Sequence, residues 1–323
     1  MLRLTLVSLA ACAALAVPEA RAQVKITKAA DRISVEIGGK PYSAFFIGPE
    51  TQKPYLHPLR AASGTIVTRR YPMEMLEGET RDHPHHRGLW FSHGDVNGID
   101  FWGNEPGQSQ KAGRIVLKKV TGVESGKKSG QIRATFEWID LAGRPVLSEA
   151  RTMTFYADPV VRTIDVDIEL TAIEKARFGD TKEGTFAIRL AAGLEEPGKD
   201  QPALPRRTGK MVNAEGAVGE KNVWGKRSAW VDHYGEVDGE KLGVAIFDHP
   251  LNPRHPTWWH SRAYGLFAAN IFGLHDFEAD KTKDGSLTLA PGEKLRFRYR
   301  VIVHPGDAAS AGLAARYAEY AGK

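Results

Sequence analysis

The chain has 323 residues, 42% of them hydrophobic, with 44 basic against 39 acidic side chains and a net charge of +5. That is enough apolar material for a large core. The basic residues are scattered rather than gathered into the stripe or module that a nucleic-acid surface requires.

Residues 1–22 read MLRLTLVSLAACAALAVPEARA: a positive Arg3, an apolar run from Leu4 to Val17, and Ala20-Arg21-Ala22 as a small-x-small cleavage site. This is the pattern of a secretory signal. It predicts a periplasmic or secreted protein whose mature part, 23–323, forms one domain. Leu9-Ala10-Ala11-Cys12 also resembles a lipobox, which makes a lipoprotein the alternative. No later stretch is apolar enough to span a bilayer as a helix. Cys12 is the only cysteine, so the mature chain has neither a disulfide nor thiolate chemistry.

From Val24 to Phe46, short alternating stretches around Gly38-Gly39 predict a hairpin. Pro54, Pro58 and Pro72 then punctuate extended segments. In Gln131–Asp140, Ile132, Ala134, Phe136 and Trp138 share one face. In Thr163–Leu170, Ile164, Val166, Ile168 and Leu170 do the same, and near the end Leu295, Phe297, Tyr299, Val301 and Val303 alternate with arginines. Repeated period-two patterning predicts large antiparallel sheets with one wet face each. Glu195–Lys210 reads as a Pro-rich loop. Only Asp307–Tyr320 reads as a helix, with Asp307 as N-cap. The expected fold is all-β: a large antiparallel β-sandwich with a short C-terminal helix.

Two windows concentrate the chemistry. Arg81–Gly103 carries His83, His85, His86 and His93 with Trp90 and Trp102. Trp224–Asp276 carries His233, His249, His255, His260 and His275 with Trp224, Trp230, Trp258 and Trp259. We expect the fold to bring the two together in one hollow. On a strand, His83 and His85 would face one way and His86 the other, a spacing that imidazoles use for metals. A metal-free polar pocket is the reading adopted, with no cofactor; a divalent metal on His83, His85 and His93 is the alternative. Trp258, His260 and Arg262 would share one face of a strand, and an indole plane beside an imidazole and a guanidinium suits a sugar. Asp232-His233 and Asp248-His249 each place a carboxylate beside an imidazole. The candidate acid/base groups are His86, His93, His260 and Asp248, with Glu278 as a further carboxylate. The candidate substrate-binding groups are Arg87, Trp90, Trp102, Arg227, Trp258 and Arg262. No GxSxG, P-loop or dinucleotide fingerprint is present.

The stretches KPYLHPLR, DHPHHRGLWFSHGDVNGIDFW, WGKRSAWVDHYG and FDHPLNPRHPTWWHSRAYGLFAANIFG resemble a bacterial family of secreted proteins labelled methane oxygenase PmoA, from about Lys53 to His304. The membrane-spanning methane oxygenase subunit of that name is a different object, and the oxygenase activity is not carried over. The order of features, closing on LTLAPGEKLRFRYRVIVH, is also similar to the galactose mutarotase superfamily. That resemblance implies a sugar-binding sandwich with a His and a Glu as acid and base; His86 falls near the family His, and no Glu is placed. The sequence therefore supports an exported carbohydrate-active enzyme. A non-catalytic sugar-binding sandwich and a His-ligated metalloenzyme are the alternatives.

Overall fold

The computed structural model describes residues 23–198 and 205–322; the signal sequence expected at 1–22 lies outside them. The strands in chain order are β1 Val24–Lys28, β2 Arg32–Ile37, β3 Lys40–Phe46, β4 Tyr55–His57, β5 Leu89–His93, β6 Arg114–Glu124, β7 Ser129–Ile139, β8 Pro145–Tyr156 and β9 Arg162–Ala172. They continue with β10 Ala176–Phe178, β11 Gly184–Arg189, β12 Lys210–Asn213, β13 Trp230–Val237, β14 Glu240–Asp248, β15 Trp258–Ser261, β16 Leu266–Asn270, β17 Leu287–Leu289 and β18 Lys294–Pro305. The α-helices among the described residues are α1 Glu220–Val223, α2 Leu274–Phe277 and α3 Leu313–Ala321, and a single 3-10 turn covers Ala192–Leu194.

Two eight-stranded antiparallel sheets face each other. The first runs β1-β2-β3-β4-β5-β11-β16-β15 and the second β12-β13-β14-β18-β9-β8-β7-β6; β10 and β17 form a separate pair. The predicted alternation appears in β7, β9 and β18, whose buried residues alternate with wetter ones. Gly38 and Gly39 both take positive φ in the turn between β2 and β3, a conformation that glycine adopts without steric cost. The sheets join through aromatic contacts: Phe91 to Trp138 at 6.0 Å, Phe91 to Phe297 at 5.3 Å and Phe186 stacked on Tyr299 at 4.4 Å. His233 Nε2 and Ser261 Oγ, 2.6 Å apart, hydrogen-bond across the same layer.

The C-terminal helix is shorter than expected. Asp307 caps a preceding turn, accepting from Ser310 N at 2.8 Å, and α3 begins at Leu313. Leu313 and Tyr320 pack on Trp230, Phe247 and Ile302, covering part of the outer face of the second sheet.

One register row fixes the geometry of the first sheet. Arg32, Phe46, Tyr55, Trp90, Ala187, Ala268 and His260 are successive cross-strand partners on β2, β3, β4, β5, β11, β16 and β15. Because side chains alternate, the neighbouring row of Phe91, Phe186, Ala269 and Trp259 faces the core. The first row therefore lies on the outer face, with aromatic groups at one end and an imidazole at the other.

Candidate functional site

The two windows meet on this outer face, divided into halves. Trp90 and His260 share the row, but three strand steps of ~4.8 Å separate them. The half around Trp90 is a column of rings. Tyr264 stacks on His83 at 5.7 Å, His83 on His86 at 4.8 Å, and His86 on Trp90 at 5.2 Å. Trp102 packs on Trp90 at 5.1 Å, and His85 lies edge-on to His86 at 4.4 Å.

The expectation that His86 points away from His83 and His85 fails, because Asp82–Arg87 is a turn rather than a strand. His83 is left-handed, with φ 43°, and with Pro84 it folds the chain so that all three rings converge. Such a backbone in a non-glycine residue persists only where its surroundings hold it. Here Arg69 Nη2 donates to His83 O at 2.9 Å, and His86 N donates to the same oxygen at 3.0 Å. Arg69 Nη1 also reaches Asp82 Oδ1 at 2.5 Å, which Arg189 Nη2 approaches at 3.0 Å. Asp82 Oδ2 lies 2.8 Å from His83 Nδ1. Burial pushes the Asp82 carboxyl up, but the His83 hydrogen bond and the charges of Arg189 and Arg69 outweigh it and hold it well below the usual carboxylate range.

Beside the column lies a cleft of about 220 Å³ lined by His83, His85, Gly94, Asp100, Trp102, Gly103, Thr181 and Glu183. Burial raises the Glu183 carboxyl. Burial, with Lys53 and His83 nearby, lowers His85 to about 3, and burial with His85, Arg189 and His83 puts His86 well below its ordinary value. Trp102 is pinned from beneath: its amide donates to Asp100 Oδ1 at 2.8 Å and its carbonyl accepts from the buried Lys53 Nζ at 2.7 Å. Burial lowers that ammonium to about 7. Trp90 Nε1, Trp102 Nε1 and His86 Nε2 are buried without a hydrogen-bond partner.

The other predicted residues lie elsewhere. His93 is in the core between Phe178 and Phe272, with Nε2 donating to Gly179 O at 2.9 Å. His260 is buried beneath Trp224 and Phe277, its Nδ1 donating to Lys182 O at 2.9 Å. Asp248 ends β14 in the second sheet, where it accepts from Asn252 Nδ2, His255 Nδ1 and Thr257 N at 2.7, 2.7 and 2.9 Å. Neither sequence-adjacent Asp-His pair forms, because neighbours on a strand face opposite ways: Asp232 pairs with His304 at 3.1 Å and Asp248 with His255. Arg87 is held by Glu105 through two bonds of 2.7 Å. Arg227 covers the Trp258 ring at 4.6 Å and donates to the carbonyls of Arg254, His255 and Pro256. Arg262 lies beyond the end of β15, 5.5 Å from the Tyr264 ring and 6.0 Å from that of Trp224, and 2.8 Å from Glu220. Glu278 pairs with Lys283.

Among the described residues, no group of three or more His, Cys, Asp or Glu side chains is placed to hold a metal ion; the trio His83, His85 and His93 is not such a set. Sequence reasoning missed Arg69, Arg189, Tyr264, Glu183 and Lys53. Tyr264, inside the quoted HSRAYG stretch, and Lys53, which opens the quoted KPYLHPLR stretch, sat where they could have drawn notice.

These features define a large antiparallel β-sandwich with a ring-lined cleft on one outer face. The chain belongs to the family of unknown function DUF6807, whose model matches residues 32–319. That description carries no methane-oxygenase label, and nothing in the comparisons supports one. No curated protein matches the sequence. Among solved structures, it is similar to a galactose 1-epimerase from Lactobacillus acidophilus NCFM (9% identity, TM-score 0.38, 88% of this chain and 98% of that one). It is also similar to a galactose mutarotase-like protein from Clostridium acetobutylicum (10%, 0.42, 87% and 98%). A heparan sulfate lyase HepC mutant from Pedobacter heparinus gives 10% and 0.41, with 88% of this chain but 37% of that one. The chain thus spans about two fifths of the lyase and α-galactosidase chains it matches. Likenesses this distant say nothing about individual residues.

Proposed function

We propose that this protein is an exported carbohydrate-active enzyme that moves protons on a sugar held in the cleft beside His83. The observation that carries the reading is the pairing of imidazole and carboxyl groups around one indole-walled space: His83 and His85 line it with Glu183 and Trp102. An indole face offers a stacking surface for the apolar side of a pyranose ring. Of the buried, unpartnered ring nitrogens, Trp102 Nε1 belongs to an indole that walls the cleft, and a sugar hydroxyl entering there would satisfy it. One group takes a proton from a hydroxyl or C–H of the sugar, and another returns one at a second atom, which is general acid/base catalysis of the epimerase, lyase or hydrolase kind. Of the acid/base candidates named from sequence, this uses His86 and sets aside His93, His260 and Asp248. Trp90 and Trp102 are the retained substrate-side candidates. The signal-like residues 1–22 support export to the periplasm or beyond.

A panel of monosaccharides, uronates and oligosaccharides, followed by NMR and mass spectrometry, tests the reading. Conversion of one sugar that falls about 10²–10⁴-fold in both His83→Asn and Glu183→Gln is the expected result. Sugar binding without conversion by the wild type would make the protein a binding module, and no binding at all would remove the carbohydrate reading.

A further inference from the structure

His83 and His86 stack 4.8 Å apart with their planes 5° off parallel, yet their Nδ1 atoms meet partners of opposite kind. His83 Nδ1 faces Asp82 Oδ2 at 2.8 Å. An ionised carboxylate can only accept, so this nitrogen carries a proton and, in the neutral ring, Nε2 holds the lone pair. His86 Nδ1 faces Arg189 Nη1 at 3.1 Å. A guanidinium can only donate, so this nitrogen holds the lone pair and the proton sits on Nε2.

The surroundings of His86 point the same way. Burial and the fixed charges of Arg189 on β11 and of Arg69 oppose a second proton on the ring, and the nearby Asp82 carboxylate is already shared by Arg69, Arg189 and His83. Arg189 is itself fully buried, donates to Thr80 Oγ1 at 3.2 Å, and lies 4.7 Å from the Tyr264 ring, so its guanidinium cannot swing away.

We infer that Arg189 is a positioning residue that fixes His86 as the Nε2–H tautomer. His83 and His86 are thereby made chemically unlike: His83 offers a lone pair at Nε2, backed by Asp82, and His86 offers a proton at Nε2, backed by Arg189. This division of labour rests on the acid/base chemistry proposed above and adds to it the roles of His83 as acceptor and His86 as donor. The tautomers themselves are a property of the folded protein with or without a substrate.

The experiment is proton–nitrogen correlation NMR of protein labelled with ¹⁵N-histidine, assigned with His83→Asn and His86→Asn. The wild type should show neutral His86 protonated at Nε2 across the pH range in which it stays folded, and His83 protonated at Nδ1. Arg189→Met should let His86 populate the Nδ1–H form, and Arg189→Lys, which keeps a cationic donor, should restore the Nε2–H form. On a sugar that the wild type converts, Arg189→Met should lose about 10²-fold or more in kcat, with a smaller change in KM and recovery in Arg189→Lys. Wild-type His86 found as the Nδ1–H form or as a cation near neutral pH overturns the inference, as does an Arg189→Met protein with an unchanged tautomer. If Arg189→Met does not fold, the wild-type spectrum decides alone. If the tautomers are as stated and no sugar is converted, Arg189's hold on His86 stands and the sugar chemistry falls.

Discussion

A charged pair sits inside the sandwich, and breaking it should cost far more than its surface counterparts. Glu149 and Arg151 on β8 point toward the core with 1% and 4% exposure. Glu149 Oε1 accepts from Arg151 Nε at 2.6 Å and Oε2 from Trp138 Nε1 at 2.8 Å, while the guanidinium lies 5.3 Å from the Phe136 ring and 5.8 Å from that of Phe45. Glu149→Ala leaves a buried guanidinium without its counter-charge, a change worth about 3–5 kcal/mol; the unpaired indole N–H falls within that figure rather than adding to it. Replacing both members with apolar groups of similar shape, Glu149→Leu with Arg151→Met, removes the desolvated charges together. That double variant should stay within about 2 kcal/mol of the wild type, since only the indole is left unsatisfied. Urea unfolding followed by tryptophan fluorescence measures both. A Glu149→Ala loss under about 1 kcal/mol, or a double variant as unstable as the sum of its singles, would show that the pair is not the buried unit described.

Acid should destabilise the fold through its buried histidines. Burial lowers His57, His93 and His260 to about 4 and His233 to about 3, so between those values and about 6.5 the unfolded chain binds more protons and stability falls as pH falls. His233→Gln should flatten part of that slope in unfolding measured from pH 7 to 4; an unchanged slope would count against a neutral His233. His304 has the opposite sign: burial lowers it, but the Asp232 hydrogen bond and charge raise it overall. Its contribution is therefore complete below about 6.5 and lost as pH rises through the folded value, and His304→Gln should cost more at pH 6 than at pH 9. Gly88→Ala should fold poorly or not at all, since a Cβ there would lie 2.1 Å from Leu56 O at a φ of +53°. Gly243→Ala, whose Cβ would meet His304 Cε1 at 2.3 Å, should lower stability by about 1–3 kcal/mol, read as a shift in the urea midpoint.

The amino-acid sequence by itself determined the sheets. Period-two alternation in β7, β9 and β18 dictates which side of each strand is buried, and the hairpin at Gly38-Gly39 is a local consequence of backbone freedom at glycine. It also marked the Arg81–Gly103 stretch as chemically dense, because clustered imidazoles and indoles are visible in one dimension. It could not show that Glu149 and Arg151 turn inward, since a charged pair in a strand reads as a wet face until its partner is known. Nor could it separate His86 from His93 and His260: all three are buried histidines beside aromatic rings, and only the turn at His83-Pro84 stacks His86 between His83 and Trp90 while the others hydrogen-bond to backbone carbonyls. Arg189, 103 residues from His86, and Glu183 reach the site from a segment far away along the chain, and Arg69 reaches it from 14 residues before His83. The tertiary structure alone decided their roles, because hydrogen bonds and tautomers depend on which groups lie about 3 Å apart in space, a quantity that sequence separation does not encode.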